Sequence, residues 1–208
     1  GLLLLFAGNT WALPIANDKV IMTHGNGITE HYQMELIIDG SNNKFYNTFC
    51  VERNEYFHNG STYTVDSVTN YADAGGVSGA NSSGVDPIDN RSLWLYASYF
   101  KGLLGARSYN LAFEVQKAIW YLEGEFLTTD NGYAEAKGLW DNTFDKVVHD
   151  AVYSFTGWEI QVVNLRDLSG GKAQSQLVGA PVPEPGTMVL LGIGLIGLAG
   201  IGRKKIKK

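Results

Sequence analysis

Cysteine is almost absent from the sequence, with Cys50 the only one among 208 residues. A single cysteine excludes an internal disulfide framework and the paired-cysteine type of zinc site. The chain has four histidines, His24, His31, His58 and His149. They lie far apart without metal-ligand spacing, and there is no HExxH motif. We therefore expect neither a metal nor a cofactor, and Cys50 needs an explanation that involves no second thiol.

Basic residues are scarce before the C-terminal tail. Five of the 16 Lys and Arg residues, together with Glu184, follow Val182, which leaves 11 basic against 20 acidic residues and a net charge of −9 before them. A body of this charge repels phosphate backbones and anionic lipids. The composition thus argues against a nucleic-acid partner.

An apolar run lies near each end of the chain. Leu2 to Ala7 is a short apolar run followed by small residues, so residues 1–16 are interpreted as the remnant of a truncated secretory signal peptide. No charge occurs over residues 186–202, a stretch near the lower limit of about 17 residues for a membrane-spanning helix. The basic residues that follow, Arg203 to Lys208, favour the cytoplasmic side. The pattern predicts a single transmembrane helix with the body of the protein on the outer side.

The tail resembles a known sorting signal. Pro183, Glu184 and Pro185 precede the Gly-rich apolar span and the basic terminus, and this order is similar to the PEP-CTERM signal of Gram-negative bacteria over residues 183–208. The resemblance implies processing by exosortase, a membrane-anchored precursor at the inner membrane, and a final location at the cell surface or in the extracellular matrix. The resemblance predicts the location of the protein and does not predict an activity.

The body changes from strand-like to helix-like segments and back. Rough alternation of apolar and polar residues predicts strands at 27–38, 44–52 and 61–68, and spacing typical of helices follows at 92–104, 108–125 and 134–154 before a last strand near 157–165. This order favours an α+β fold, with a β-rich N-terminal part, an inserted helical subdomain and a C-terminal strand. We assign the domain to residues 17–168 and a linker rich in small residues to 169–182.

Two polar residues stand out in apolar surroundings. Cys50 lies in a strand between Phe49 and Val51, and Gln116 lies on an apolar face of the second helix. A buried amide needs hydrogen-bond partners, because leaving it unsatisfied costs about 1 to 3 kcal/mol. A thiol and a carboxamide held together away from water are the two groups that an internal thioester requires.

Both residues lie in motifs that resemble one family. "FCVE" (49–52) is similar to the aromatic-Cys-aliphatic motif of bacterial surface thioester domains, and "VQKAIW" (115–120) to their hydrophobic-Gln-x-Ala-Ile-Trp motif. The resemblance implies a self-formed thioester between Cys50 and Gln116, with Phe49 and Trp120 shielding the bond. It also implies single-turnover covalent attachment to an amine-bearing surface or matrix target, as in an adhesin, and no enzymatic turnover.

Two other interpretations stay open at this point. The protein could be a structural component of an exopolysaccharide matrix with a free thiol. A cysteine hydrolase would use Cys50 as its nucleophile and His58 or His149 as a base.

Overall fold

The computed structural model describes residues 12–25, 32–37, 44–73, 75–148 and 157–182. Most of the predicted signal-peptide remnant, the motif Pro183 to Pro185 and the predicted membrane span at 186–202 lie outside these ranges. Within them, no helix has the length and apolar character needed to cross a bilayer.

Six antiparallel strands form a closed barrel. Alternate side chains of each strand face its interior, as the period of two in a strand requires. The interior is filled by apolar residues such as Val20, Met22, Met34 and Val178. The strands are β1 Lys19–His24, β2 Tyr32–Ile37, β3 Lys44–Cys50, β4 Ser61–Thr69, β7 Trp158–Arg166 and β8 Lys172–Pro181. Around the barrel they lie in the order β1-β2-β3-β8-β7-β4.

Short helices are inserted between β4 and β7. The short strands β5 Tyr71–Ala72 and β6 Asp86–Pro87 pair with each other, and the helices that follow are α1 Asn90–Phe100, α2 Tyr109–Leu122, α3 Tyr133–Leu139 and α4 Asp145–Val148, with a π-helical turn Trp140–Phe144 before α4. Side chains at the N-caps of α1 and α2, Asp89 and Ser108, accept hydrogen bonds from the first turns. These bonds satisfy backbone donors that a helix start otherwise leaves unpaired.

A second apolar core joins the helices to the barrel. Phe49 of β3, Val162 of β7 and Leu177 of β8 pack with Trp94 of α1 and Ile119 of α2. Strands β3, β7 and β8 are therefore covered on both faces, by the barrel interior and by the helices. This double burial holds α2 against the end of β3.

The described domain is β-rich with inserted helices, and its C-terminal part differs from the sequence-based prediction. The interpretation of residues 169–182 as a linker is wrong, because residues 172–181 form β8 and close the barrel between β3 and β7. Residues 173–178 are all buried, since both faces of β8 are covered. Such a strand does not show the alternation of apolar and polar residues by which half-buried strands are recognised.

Candidate functional site around Cys50

Cys50 is the last residue of β3, and its side chain has no exposed surface. The alternation of β3 places Cys50 on the same face as Tyr46 and Thr48, and Phe49 on the opposite, helix-facing side. The chain leaves the barrel after Cys50. The thiol therefore lies at one end of the barrel, where ladder pairing stops.

Gln176 of β8 lies directly opposite Cys50 in the antiparallel register. The Cys50 Sγ is 3.8 Å from Gln176 Oε1 and 3.5 Å from Gln176 Nε2. Because the sulfur hydrogen-bonds to both amide atoms, it faces their outer edge and lies about 4 Å from Cδ, somewhat beyond the spacing of about 3 to 3.5 Å of reacting atoms in a near-attack arrangement. Sequence reasoning did not identify Gln176 as a site residue.

The amide of Gln176 is fixed by further hydrogen bonds. Thr48 Oγ1 donates to Gln176 Oε1 at 2.9 Å, and Gln176 Nε2 donates to the backbone oxygen of Gln174 at 3.4 Å. Both Thr48 and Gln176 are buried, with at most 1% of their surface exposed. The orientation of the carboxamide toward Cys50 is therefore set by its neighbours in β3 and β8.

Gln116 reaches the same residue from α2, through the backbone. The Cys50 N–H donates to Gln116 Oε1 at 2.7 Å, and Gln116 Nε2 donates to the Cys50 carbonyl at 2.8 Å. Both backbone groups of Cys50 thus point away from β8, so Cys50 and Gln176 form the non-hydrogen-bonded kind of cross-strand pair. That kind brings side chains closer, with Cα atoms about 4.5 Å apart.

Cys50 and Gln116 are in contact in the fold, as expected. The fully buried Gln116 amide has the hydrogen-bond partners that its burial requires. The role of Gln116 as acyl donor stays a prediction. Both polar atoms of its amide bind the Cys50 backbone, whereas the described hydrogen-bond contacts of the thiol with glutamine involve Gln176.

The two predicted shielding residues differ in position. Phe49 packs edge-on against Tyr96 and Tyr99, with centroid distances of 6.0 and 5.5 Å, on the face of β3 opposite the thiol. Trp120 follows Gln116 by one turn of α2, and its indole Nε1 is buried without a hydrogen-bond partner in the described part of the chain. Their shielding roles stay predictions.

Burial raises the pKa of the Cys50 thiol well above its ordinary value. A hydrogen bond with Gln176 lowers this pKa in part, nearby Glu52 raises it further, and a hydrogen bond with Tyr32 lowers it. The resting thiol therefore keeps its proton at neutral pH. This environment is the opposite of the electropositive, partly exposed one that activates the cysteine of a hydrolase.

Glu52 lies two residues beyond the thiol and is fully buried. Its Oε2 accepts from the backbone N–H of Ser175 at 2.9 Å, and its Oε1 has no partner among the described residues. Burial, followed by repulsion from Glu55, raises the pKa of Glu52 to about 7. Glu52 thus binds β8 just beyond the end of β3, whereas Gln116 binds the edge of Cys50 that points away from β8.

Of the two histidines proposed as a hydrolase base, the structure describes His58, which does not contact the thiol. His58 is exposed in the turn before β4, where its backbone N–H donates to the Tyr63 hydroxyl at 2.6 Å. His149 lies outside the described residues. In the described ranges, no histidine is hydrogen-bonded to Cys50, and no cluster of three potential metal ligands occurs.

Comparison with known proteins identifies one segment. The family model of the PEP-CTERM protein-sorting motif matches residues 181–204. The protein carries a PEP-CTERM sorting signal. The signal includes the predicted motif Pro183, Glu184 and Pro185, and it indicates an exported protein that exosortase processes. Neither the curated proteins nor the solved structures gave a match to the chain.

The matched segment overlaps the end of the barrel, because β8 runs to Pro181. Only Val182 separates this strand from Pro183, the first residue of the Pro-Glu-Pro sequence. The described domain and its sorting signal are therefore joined almost directly.

Proposed function

We propose that the barrel domain of this exported protein forms an internal thioester between Cys50 Sγ and Gln176 Cδ. We further propose that the bond attaches the protein covalently, once, to an amine-bearing surface or matrix target. The single observation that supports this most is the cross-strand pair, in which the thiol contacts both the oxygen and the nitrogen of one buried carboxamide.

Gln176 replaces Gln116 as the acyl donor in this proposal. An acyl donor has to bring its carbonyl carbon to the sulfur. The amide of Gln176 lies beside the sulfur on the facing strand, where a rotation of the side chain would turn Cδ toward it. Gln116 instead binds the Cys50 backbone with both polar atoms of its amide. Its role would be to fix the end of β3 so that the thiol stays opposite Gln176.

The chemistry balances without a cofactor. The sulfur attacks Gln176 Cδ, the S–C bond forms, and the C–N bond breaks. The thiol proton leaves with the amide nitrogen as ammonia. An incoming primary amine later attacks the same carbon, the C–S bond breaks, and an amine proton returns to the sulfur, so the product is an amide to Gln176 and a free Cys50 thiol.

Proximity would accelerate formation of the thioester, and burial would protect it from hydrolysis. Holding two groups in a reactive arrangement gives effective molarities of up to about 10⁵ to 10⁸ M. The complete burial of Cys50 and Gln176 would keep water from the activated acyl group. For the same reason, a target amine would need to dock and open this end of the barrel before it reacts.

The decisive experiment is intact mass analysis of residues 12–182, purified without exposure to amines. The wild-type chain should be lighter than its sequence by one ammonia, and Gln176→Glu, which keeps the shape of the side chain, should have its full mass. Methylamine should then add to Gln176 and make Cys50 open to alkylation. Cys50→Ala should abolish the adduct.

Other outcomes select the other functions. A methylamine adduct on Gln116 would show that Gln116, and not Gln176, is the acyl donor. A wild-type chain of full mass with a titratable thiol would favour the structural matrix protein. An acyl group transferred to Cys50 from an ester substrate would favour the cysteine hydrolase.

A further inference from the structure

We infer that Thr48 is a catalytic hydrogen-bond donor for this bond, stabilising the oxyanion that develops on Gln176 Oε1 when the thioester forms and when an amine opens it. This inference rests on the proposed thioester between Cys50 and Gln176. It adds a third reacting-site residue that neither the sequence motifs nor the sorting signal indicates.

The geometry of Thr48 suits this role. Its hydroxyl Oγ1 is 2.9 Å from Gln176 Oε1, within the range of about 2.7 to 3.1 Å for a donor that stabilises an oxyanion. Thr48 precedes Cys50 by two residues on β3, so both side chains face the same way and flank Gln176. One strand therefore presents the nucleophile and the donor to one carboxamide.

During the reaction, Thr48 becomes the main hydrogen-bond donor to Gln176 Oε1. In the described part of the chain, Gln176 Oε1 accepts from two groups, Thr48 Oγ1 and the Cys50 thiol. The thiol loses its proton as the sulfur attacks, so it no longer donates. Thr48 is then the donor that remains beside the oxygen, in a site without water exposure where such a bond is stronger than in solvent.

The same hydroxyl would act again in the opening reaction. The carbonyl of the thioester keeps the oxygen that was Gln176 Oε1, and amine attack produces a second tetrahedral oxyanion on it. A donor that is already in place requires no rearrangement at that step. Thr48 should therefore affect the formation and the aminolysis of the bond by similar factors.

The simpler alternative is that the Thr48 hydroxyl only satisfies a buried oxygen. That role would change the stability of the fold and leave the rates of reaction unaltered. Thr48→Val keeps the branched shape and removes the donor, whereas Thr48→Ser keeps the donor. The two variants separate the alternatives, and Ser98→Ala, which deletes a buried hydroxyl on α1, controls for a general loss of stability.

The experiment follows the mass of residues 12–182 over time. Ammonia opens the thioester and regenerates the Gln176 amide, and exchange into ammonia-free buffer then starts the forward reaction. We expect Thr48→Val to lose ammonia about 10²-fold more slowly than wild type, as for removal of one oxyanion donor. Thr48→Ser and Ser98→Ala should stay close to wild type, and methylamine should open the bond more slowly in Thr48→Val.

Infrared spectra of chains with ¹³C-labelled glutamine provide a second readout. Loss of the hydrogen bond should shift the thioester carbonyl stretch of Thr48→Val to higher frequency, which would show that Thr48 binds the reacting oxygen in the thioester, and the rates then show whether it acts in the reaction. A folded Thr48→Val that reacts at the wild-type rate would overturn the role of Thr48 alone. A wild-type chain that never loses ammonia would overturn this role together with the thioester.

Discussion

The amide of Gln116 takes the place of a strand partner for Cys50. It accepts from the Cys50 N–H at 2.7 Å and donates to the Cys50 carbonyl at 2.8 Å, just where the register of β2 with β3 ends at Thr48. A buried backbone N–H and C=O both need partners, and here one side chain from α2 supplies them. The helical insertion is thereby tied to the residue that bears the thiol.

Replacing this amide should destabilise the domain strongly. Gln116→Met fills a similar volume but leaves the buried Cys50 N–H and carbonyl unpaired, at about 1 to 3 kcal/mol for each group. We expect the free energy of unfolding in urea to fall by roughly 2 to 6 kcal/mol. Gln33→Met is the matched control, because in the described part of the chain the half-buried Gln33 amide has one hydrogen-bond partner, Asn47 at 3.4 Å, and its loss should cost about 1 kcal/mol or less.

The sequence allowed half of this site to be predicted. Gln116 could be recognised as a buried amide because it lies among apolar residues at helical spacing, and its nearness to Cys50 followed from paired motifs. Gln176 could not, because its position depends on the pairing of β3 with β8 across 126 residues of sequence. A strand register of this kind is fixed by the closed barrel and leaves no local pattern.

The fold was predictable to a similar extent. Alternation in residues 44–52 and 61–68 indicated β3 and β4, and helical periodicity indicated α1 and α2. β8 was misread because both of its faces are buried and many of its residues are small or amide-bearing, as in "KAQSQLVGAP". Composition alone does not separate such a strand from a linker.

Removing β8 should therefore abolish folding. A chain that ends at residue 168, where the domain was first expected to end, lacks the strand that joins β3 to β7 and leaves two long strand edges unpaired. We expect residues 12–168 to aggregate or to show no cooperative thermal transition by circular dichroism, whereas residues 12–182 should unfold cooperatively. A folded 12–168 chain would contradict the closed barrel.

Glu184 should be required for processing of the full chain. It is the single charged residue of the matched sorting motif that precedes the apolar span, and it separates Pro183 from Pro185. In a bacterium with exosortase, Glu184→Ala should accumulate as precursor with its basic tail, detected by intact mass of the membrane fraction. Glu159→Gln, which removes an exposed acidic residue from β7, should be processed normally. Normal processing of Glu184→Ala would show that this side chain is not part of the recognised signal.

Glu52 should make the stability of the domain fall as the pH rises. Burial raises the pKa of Glu52 from 4.5 to about 7, so between these values the folded chain binds more protons than the unfolded chain. The free energy of unfolding then decreases with pH over this window and levels off above pH 7, by at most about 3 kcal/mol for this group. Glu52→Gln removes the charge and keeps an acceptor for the Ser175 N–H, so it should flatten the curve and leave the variant more stable than wild type at pH 8. Urea unfolding at pH 5 and pH 8 measures both the pH dependence and the stability of the Glu52→Gln variant. Glu159→Gln is the control at an exposed acidic residue. An unchanged pH dependence in Glu52→Gln would assign the effect to other acidic groups, foremost Glu123, whose burial raises its pKa to about 8.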